Sequence, residues 1–284
     1  MRHPIIAGTA ALAFALAATA GQATGFNFST DTCKQDYSTP YDVDVTAAGL
    51  SFHRTDGTPT EVFLHDGELR VDGKTVAVSR ADADALRRYE AGVRALMPQI
   101  ATIAREGVEL GFSAMTTVTL SFAEGDQRGS MLEKLKRKQA EALREIDEGV
   151  GAGHWSADRM TETVAGSVSD SVGELVGSVT SSAVTAALSG DASKVAALQA
   201  RADSLDKTMD REMNKRSKAL EMKANAICPQ LNDLASLQKG WSVRLDNGKS
   251  LELMTIKPKS EHHDDDHDGD HDHDHDHDRK VVSF

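Results

Sequence analysis

The hydrophobic repeat changes at Ser79, and that change constrains the fold more than any other feature of the chain. Before it the repeat is two. Val43 and Val45 alternate with Asp42, Asp44 and Thr46, and Val62-Phe63-Leu64, Leu69, Val71 and Val76-Ala77-Val78 follow. Such alternation puts the apolar side chains on one face of a strand. The runs are separated by Thr55-Asp56-Gly57, His65-Asp66-Gly67 and Val71-Asp72-Gly73. Glycine accepts positive φ without a Cβ clash, so Asp-Gly pairs between short β-branched runs favour tight hairpins. Residues 40–79 therefore read as a small antiparallel β-meander.

After Ser79 the repeat is three to four. Ser79 and Asp82 resemble a capping box, and Leu86, Tyr89, Val93, Leu96, Ile100 and Ile103 follow at helical spacing. The pattern predicts an amphipathic helix to about Glu106, with Pro98 expected to kink or split it. Residues 108–123 fit two states: Val118, Leu120 and Phe122 alternate, yet the stretch also continues the helix. Gly125 to Gly129 reads as a turn. Ser130 with Glu133 then reads as the cap of a charged helix from Met131 to Asp147, ended by Gly149, Gly151 and Gly153.

Residues 155–189 place Val164, Val168, Val172, Leu175, Val179 and Leu188 among small residues. Gly173 and Gly177 permit close backbone approach, but Asp158, Arg159, Glu162, Asp170 and Glu174 argue against a membrane helix. Tight packing against another helix is the expectation. Asp191 to about Ile227 should be the longest helix, with a seam of Val195, Leu198, Ala202, Leu205, Met209 and Met213 packing within the chain. It stops at Pro229. Residues 241–256 return to alternation around Asp246-Asn247-Gly248, a hairpin signal. The expected class is α+β: a β-meander, long kinked amphipathic helices over 80–228, a hairpin at 241–256 and a disordered tail at 259–284.

The first residues set the compartment. Met1-Arg2-His3 precedes an apolar run from Ile5 to Ala18 and the small residues Ala18-Thr19-Ala20. That pattern is a secretory signal peptide over residues 1–20, with cleavage expected before Gly21 and a single body over 21–258. The run is too short for a permanent span. An exported chain with two cysteines, Cys33 and Cys228, is expected to join them, since oxidising compartments favour the bridge. The formal charge of −12 is mostly local: residues 261–280 hold Glu261 and nine aspartates against Arg279 and Lys280, leaving −4 elsewhere. A nearly neutral exported body gives no case for nucleic-acid binding.

Taken in order, these patterns resemble the YggN-like family of exported gammaproteobacterial proteins, for which no activity is established. The resemblance is carried by Cys33, the strand Tyr41–Thr46, and the hairpin Leu69–Ser79 running directly into a helix with Tyr89 and Leu96-Met97-Pro98. The Gly/Ser/Val segment and the charged helix ending at Cys228 complete it. It implies a periplasmic location and this fold, and no activity. The segment after Lys259 and the hairpin at 241–256 depart from the family pattern.

The legible chemistry lies in that last segment. It holds seven of the 11 histidines, His262, His263, His267, His271, His273, His275 and His277, among aspartates that include Asp264, Asp266 and Asp268. With no apolar residue to bury, the segment is expected to be disordered. Neutral imidazole suits zinc, nickel and copper. Alternate histidines of an extended ribbon stand roughly 7 Å apart, so one ion needs the chain to bend. Several moderate-affinity sites are expected instead of one cage. Neighbouring aspartates favour the protonated imidazole, so binding should weaken as the pH falls toward 6. Asp264, Asp266, Asp268 and Gly269 also match the opening of a calcium loop, but His275 stands where the closing glutamate belongs.

No H-E-x-x-H or G-x-S-x-G motif occurs, and Gly73-Lys74-Thr75 lacks the first glycine of a phosphate loop. Ser204-x-x-Lys207 and Ser236-x-x-Lys239 have no companion motif. His53, His65 and His154 stand as isolated histidines, and Trp155 and Trp241 as packing anchors. The expectation is a non-enzymatic periplasmic protein that needs no cofactor and captures divalent zinc, nickel or copper. The alternative is an envelope interaction module that offers its long helices to a protein partner.

Overall fold

The computed structural model describes residues 26–28, 33, 35–156 and 166–258. The signal-peptide assignment and the tail at 259–284 lie outside the described residues.

The strands are β1 Phe26–Phe28, β2 Gln35–Thr39, β3 Asp42–Thr46, β4 Gly49–His53, β5 Glu61–His65, β6 Glu68–Val71, β7 Lys74–Val76, β8 His154–Trp155 and β9 Thr255–Pro258. The meander stands as expected. β3 to β7 pair antiparallel in chain order, and β8 extends the sheet at the β3 edge. Two hairpins turn on Asp66-Gly67 (φ 45° and 81°) and Asp72-Gly73 (φ 46° and 77°). Two consecutive positive φ values match the right-handed twist of the flanking strands. A second sheet, ordered β1-β2-β9, joins the start of the described chain to its end.

The alternation buries one face of the larger sheet: Val43, Leu50, Phe52, Val62, Leu64 and Leu69. Against it lies α1, Arg80–Phe122, whose Leu86 and Tyr89 are also buried. The Tyr89 ring meets Phe52 at 6.5 Å and Trp241 at 5.4 Å between centroids. Trp241 is a packing anchor as expected, and its Nε1 donates to the Leu251 carbonyl at 3.0 Å.

At 43 residues α1 is the longest described helix, and it continues through Pro98 instead of ending near Glu106. Residues 108–122 are helical. Met97, Ala101, Val108, Phe112, Met115 and Thr119 are buried at spacings of three, four and seven, while Leu120 is exposed. Helical burial therefore overrides the local alternation of Val118, Leu120 and Phe122.

The next helix, α2, spans Gly125–Glu148. The expected turn at Gly125–Gly129 is already helical, and Ser130 and Glu133 sit inside the helix instead of capping it. The real break is shorter. Ala123 is extended at ψ 145° and Gly125 takes φ 54°, so the chain reverses within a few residues. A 3₁₀ turn at Val150–Ala152 closes α2 among the predicted glycines.

Among the described residues three more helices follow: α3 Gly166–Leu188, α4 Ala192–Ala226 and α5 Cys228–Gly240. In α3 the packed side is Ser171, Leu175 and Ala186. Gly173 and Gly177 are exposed, and a Cβ at either would meet nothing within 4 Å. The glycines are therefore not the close-packing contact that their spacing suggested. Leu205, Met209 and Met213 of the α4 seam are half-buried, while Val195 and Ala202 are exposed. Its firm anchoring comes later, through Leu220 and Ala224. The pairs Arg105–Asp147, Lys223–Glu106 and Lys134–Glu174 join the helices at the surface, where each contributes little.

Cys33 and Cys228 form the expected disulfide, with Cα atoms 5.8 Å apart across 195 residues of sequence. It fastens the segment before β2 to the start of α5. No described helix is long and apolar enough to cross a membrane.

Candidate functional site

Residues 241–258 form one wall of a concave feature of the described body. This wall is not the regular two-stranded hairpin expected from the sequence. Asn247-Gly248 does make a tight turn, with Gly248 at φ 78° and the Leu245 amide donating to the Lys249 carbonyl at 2.9 Å. Past the turn, pairing thins to an isolated bridge between Arg244 and Ser250. The chain then leaves to pair β9 with β2.

Side chains replace the missing ladder. Buried Gln238 accepts from the Leu253 and Met254 amides at 2.8 and 2.9 Å and donates to the Met254 carbonyl at 2.6 Å. Thr39 Oγ1 donates to the Leu253 carbonyl at 2.6 Å. A buried amide group without a partner is costly, so these contacts fix the backbone of the wall.

The facing wall is the corner of β2 and β3 with the loop after β4. Together the walls enclose a cleft of about 590 Å³ lined by residues that include Tyr41, Arg54, Arg244, Lys249, Ser250 and Glu252. Arg54 is the best-fixed cation there. Its Nε donates to the Pro59 carbonyl at 2.7 Å, and its guanidinium lies 4.6 Å from the Tyr41 ring centroid. Gly57, at φ 90°, packs on the same group, where a Cβ would stand 3.2 Å from Cζ. Burial pushes the Tyr41 phenol above its ordinary pKa, and Arg54 opposes that shift. Across the cleft, Arg244 Nη1 donates to Ser250 Oγ at 2.7 Å.

A second polar group lies on the outer face of the larger sheet. The register places Asp44 opposite His154 and Asp42 opposite His53. His154 Nδ1 is 2.6 Å from Asp44 Oδ1, and His53 Nε2 is 3.9 Å from Asp44 Oδ2. His65 Nδ1 lies 3.6 Å from Glu90. These three histidines are therefore not isolated. His154 and Asp44 are 110 residues apart, and only strand order joins them. Among the described residues, no three His, Cys, Asp or Glu side chains are placed to hold a metal ion.

Asp82 links the start of α1 to the cleft wall. As expected, Ser79 caps the helix: its Oγ accepts from the Asp82 amide at 3.1 Å and donates to Asp82 Oδ2 at 2.8 Å. The carboxylate is buried, and Ser242 also donates to it, from Oγ at 2.7 Å and from the amide at 2.8 Å. The Ser242 hydroxyl first, then its amide, hold the Asp82 pKa below 3.8. A carboxyl depressed in the folded state stabilises fully above its unfolded pKa, and the contribution fades as pH falls through the folded value. Asp82→Ala should therefore cost about 1–3 kcal/mol at neutral pH, with the difference shrinking below pH 3.8. Urea midpoints measured across that range check it.

The metal ligands expected from sequence, His262, His263, His267, His271, His273, His275 and His277 with Asp264, Asp266 and Asp268, all lie outside the described residues. The cleft cations were missed. Arg54 follows an ordinary strand and Arg244 and Lys249 flank an ordinary turn, so no local motif announces them.

Among protein families, the model described as a protein of unknown function (DUF2884) matches residues 36–254. No curated protein and no solved structure matches. The matched region runs through residues 241–254, so the hairpin segment expected to depart from the family belongs to it. The region contains Arg54, Arg244 and Lys249 and ends before the His/Asp-rich segment.

Proposed function

The chain belongs to the DUF2884 family of proteins of unknown function, and from that premise we propose that it is an exported, non-enzymatic metal-binding protein. Within the family we group it with the YggN-like gammaproteobacterial proteins, on the hairpin-to-helix join at Ser79. The body serves as a disulfide-closed platform in the periplasm, and the C-terminal segment captures zinc, nickel or copper. The observation that carries this reading is the interleaving of seven histidines with aspartates between His262 and Asp278. Histidine adds little charge at neutral pH and is the commonest metal ligand, so a solvating extension has no use for so many. The Cys33–Cys228 bridge and the leader support export.

The family match stops at residue 254, so the segment proposed to capture metal lies outside the shared body. Calorimetric titration with zinc tests it on the full chain and on a version ending at Lys259. The full chain should take up more than one equivalent at neutral pH, and the shortened chain none at comparable affinity. Equal uptake by both would remove the reading.

One observation favours a second reading, an envelope interaction module. The outer side of α3 exposes Val172, Val176, Val184 and Leu188, and residues 175–190 carry no charge. In this reading the helices dock a protein partner and the tail only solvates.

A further inference from the structure

We propose that the cleft between the loop after β4 and the 241–258 wall is a binding site for a small phosphorylated molecule. Three cations line it, Arg54, Arg244 and Lys249, against one carboxylate, Glu252. None of the three has a carboxylate within 4.0 Å among the described residues, whereas five arginines of the described helices do. Arg87, Arg94, Arg105, Arg144 and Arg201 each pair with Asp or Glu. Asp72 acts on Arg54 only from beyond the lining. Cations without a contacting carboxylate, gathered in one concave place on a chain that carries −4 outside the C-terminal segment, mark a site that waits for an anion.

Arg54 is built for the task. The Tyr41 face, the Pro59 carbonyl and Gly57 hold its guanidinium, and Nε is the only one of its nitrogens with a partner among the described residues. Both Nη groups keep their donors. A planar fork fixed before binding loses little rotamer freedom when it takes up a phosphate or carboxylate oxygen pair.

On the wall facing Arg54, Arg244 is steadied by Ser250 and Lys249 supplies a point charge with no ion pair among the described residues. The excess of two positive charges in the lining matches a phosphate monoester, which carries about −1.5 to −2 near pH 7. A lone carboxylate would leave one cation unmatched. Glu252 stands in the same lining to accept from a hydroxyl or amino group of the ligand. The volume, about 590 Å³, is that of a small-molecule site.

The test is an NMR titration of the metal-free full chain with inorganic phosphate and glycerol phosphate, with acetate as the comparison anion. Saturable shifts are expected at the amides of Gly57, Arg244, Gly248 and Lys249, weakening with added salt. Arg54→Gln and Lys249→Gln should each raise Kd about tenfold. Lys249 is exposed, so its variant tests the site without risk to the fold. No saturable shift, an unchanged Kd in Lys249→Gln, or acetate binding as tight as phosphate would overturn the proposal. So would capture by phosphatidylglycerol vesicles with no response to free phosphate, which would make the ligand a membrane surface.

Discussion

Replacing Cys33 or Cys228 with serine should lower the unfolding free energy by about 2–5 kcal/mol, the range for loss of a native bridge. The bridge spans 195 residues, and closing so long a loop in the unfolded chain has a predicted value near the top of that range. Besides the bridge, the region it secures is held by buried Tyr37 and by the hydrogen bond from Thr39 to the Leu253 carbonyl. The β1-β2-β9 sheet is short, and Tyr37 reaches α5 through a hydrogen bond of 3.2 Å to Asn232. Urea unfolding of the native and serine-substituted chains would show the midpoint falling. The slope should steepen, because an unbridged chain exposes more surface. An unchanged midpoint would mean that the segment before β2 and the start of α5 are held together without the disulfide.

Phe112→Ala should cost about 3–5 kcal/mol, because its ring is fully buried on α1 and its removal leaves a cavity. Leu120→Ala, at 51% exposure, should stay within about 0.5 kcal/mol. The pair separates the two states that the sequence left open for 108–123. On a half-buried strand, Leu120 would share the buried face with Val118 or Phe122 through alternation, and its loss would cost far more. Denaturant midpoints of both variants decide between helix and strand.

The contrast shows where sequence patterns carry. The meander was legible because Asp66-Gly67 and Asp72-Gly73 encode their turns locally, and Ser79 was legible because its cap is completed three residues later by Asp82. The α2 start was misread because Ser130 and Glu133 satisfy the capping pattern inside a helix begun at Gly125. Gly173 and Gly177 were misread because spacing identifies a face without saying which way it points.

Long-range chemistry was less legible still. His154 and Asp44 meet only because β8 pairs with β3, and Ser242 reaches Asp82 across 160 residues. The cleft is of the same kind: Arg54 and Lys249 come from opposite ends of the body. The proposed metal capture is the reverse case, because it rests on composition alone and not on how the body folds.

That claim is tested most directly by adding cobalt(II) to the full-length chain at neutral pH and recording its visible absorption. Nitrogen ligation by the histidines between His262 and His277 predicts a ligand-field spectrum that the chain ending at Lys259 lacks, and that disappears as acid protonates the imidazoles. A spectrum indistinguishable from aqueous cobalt would contradict the account.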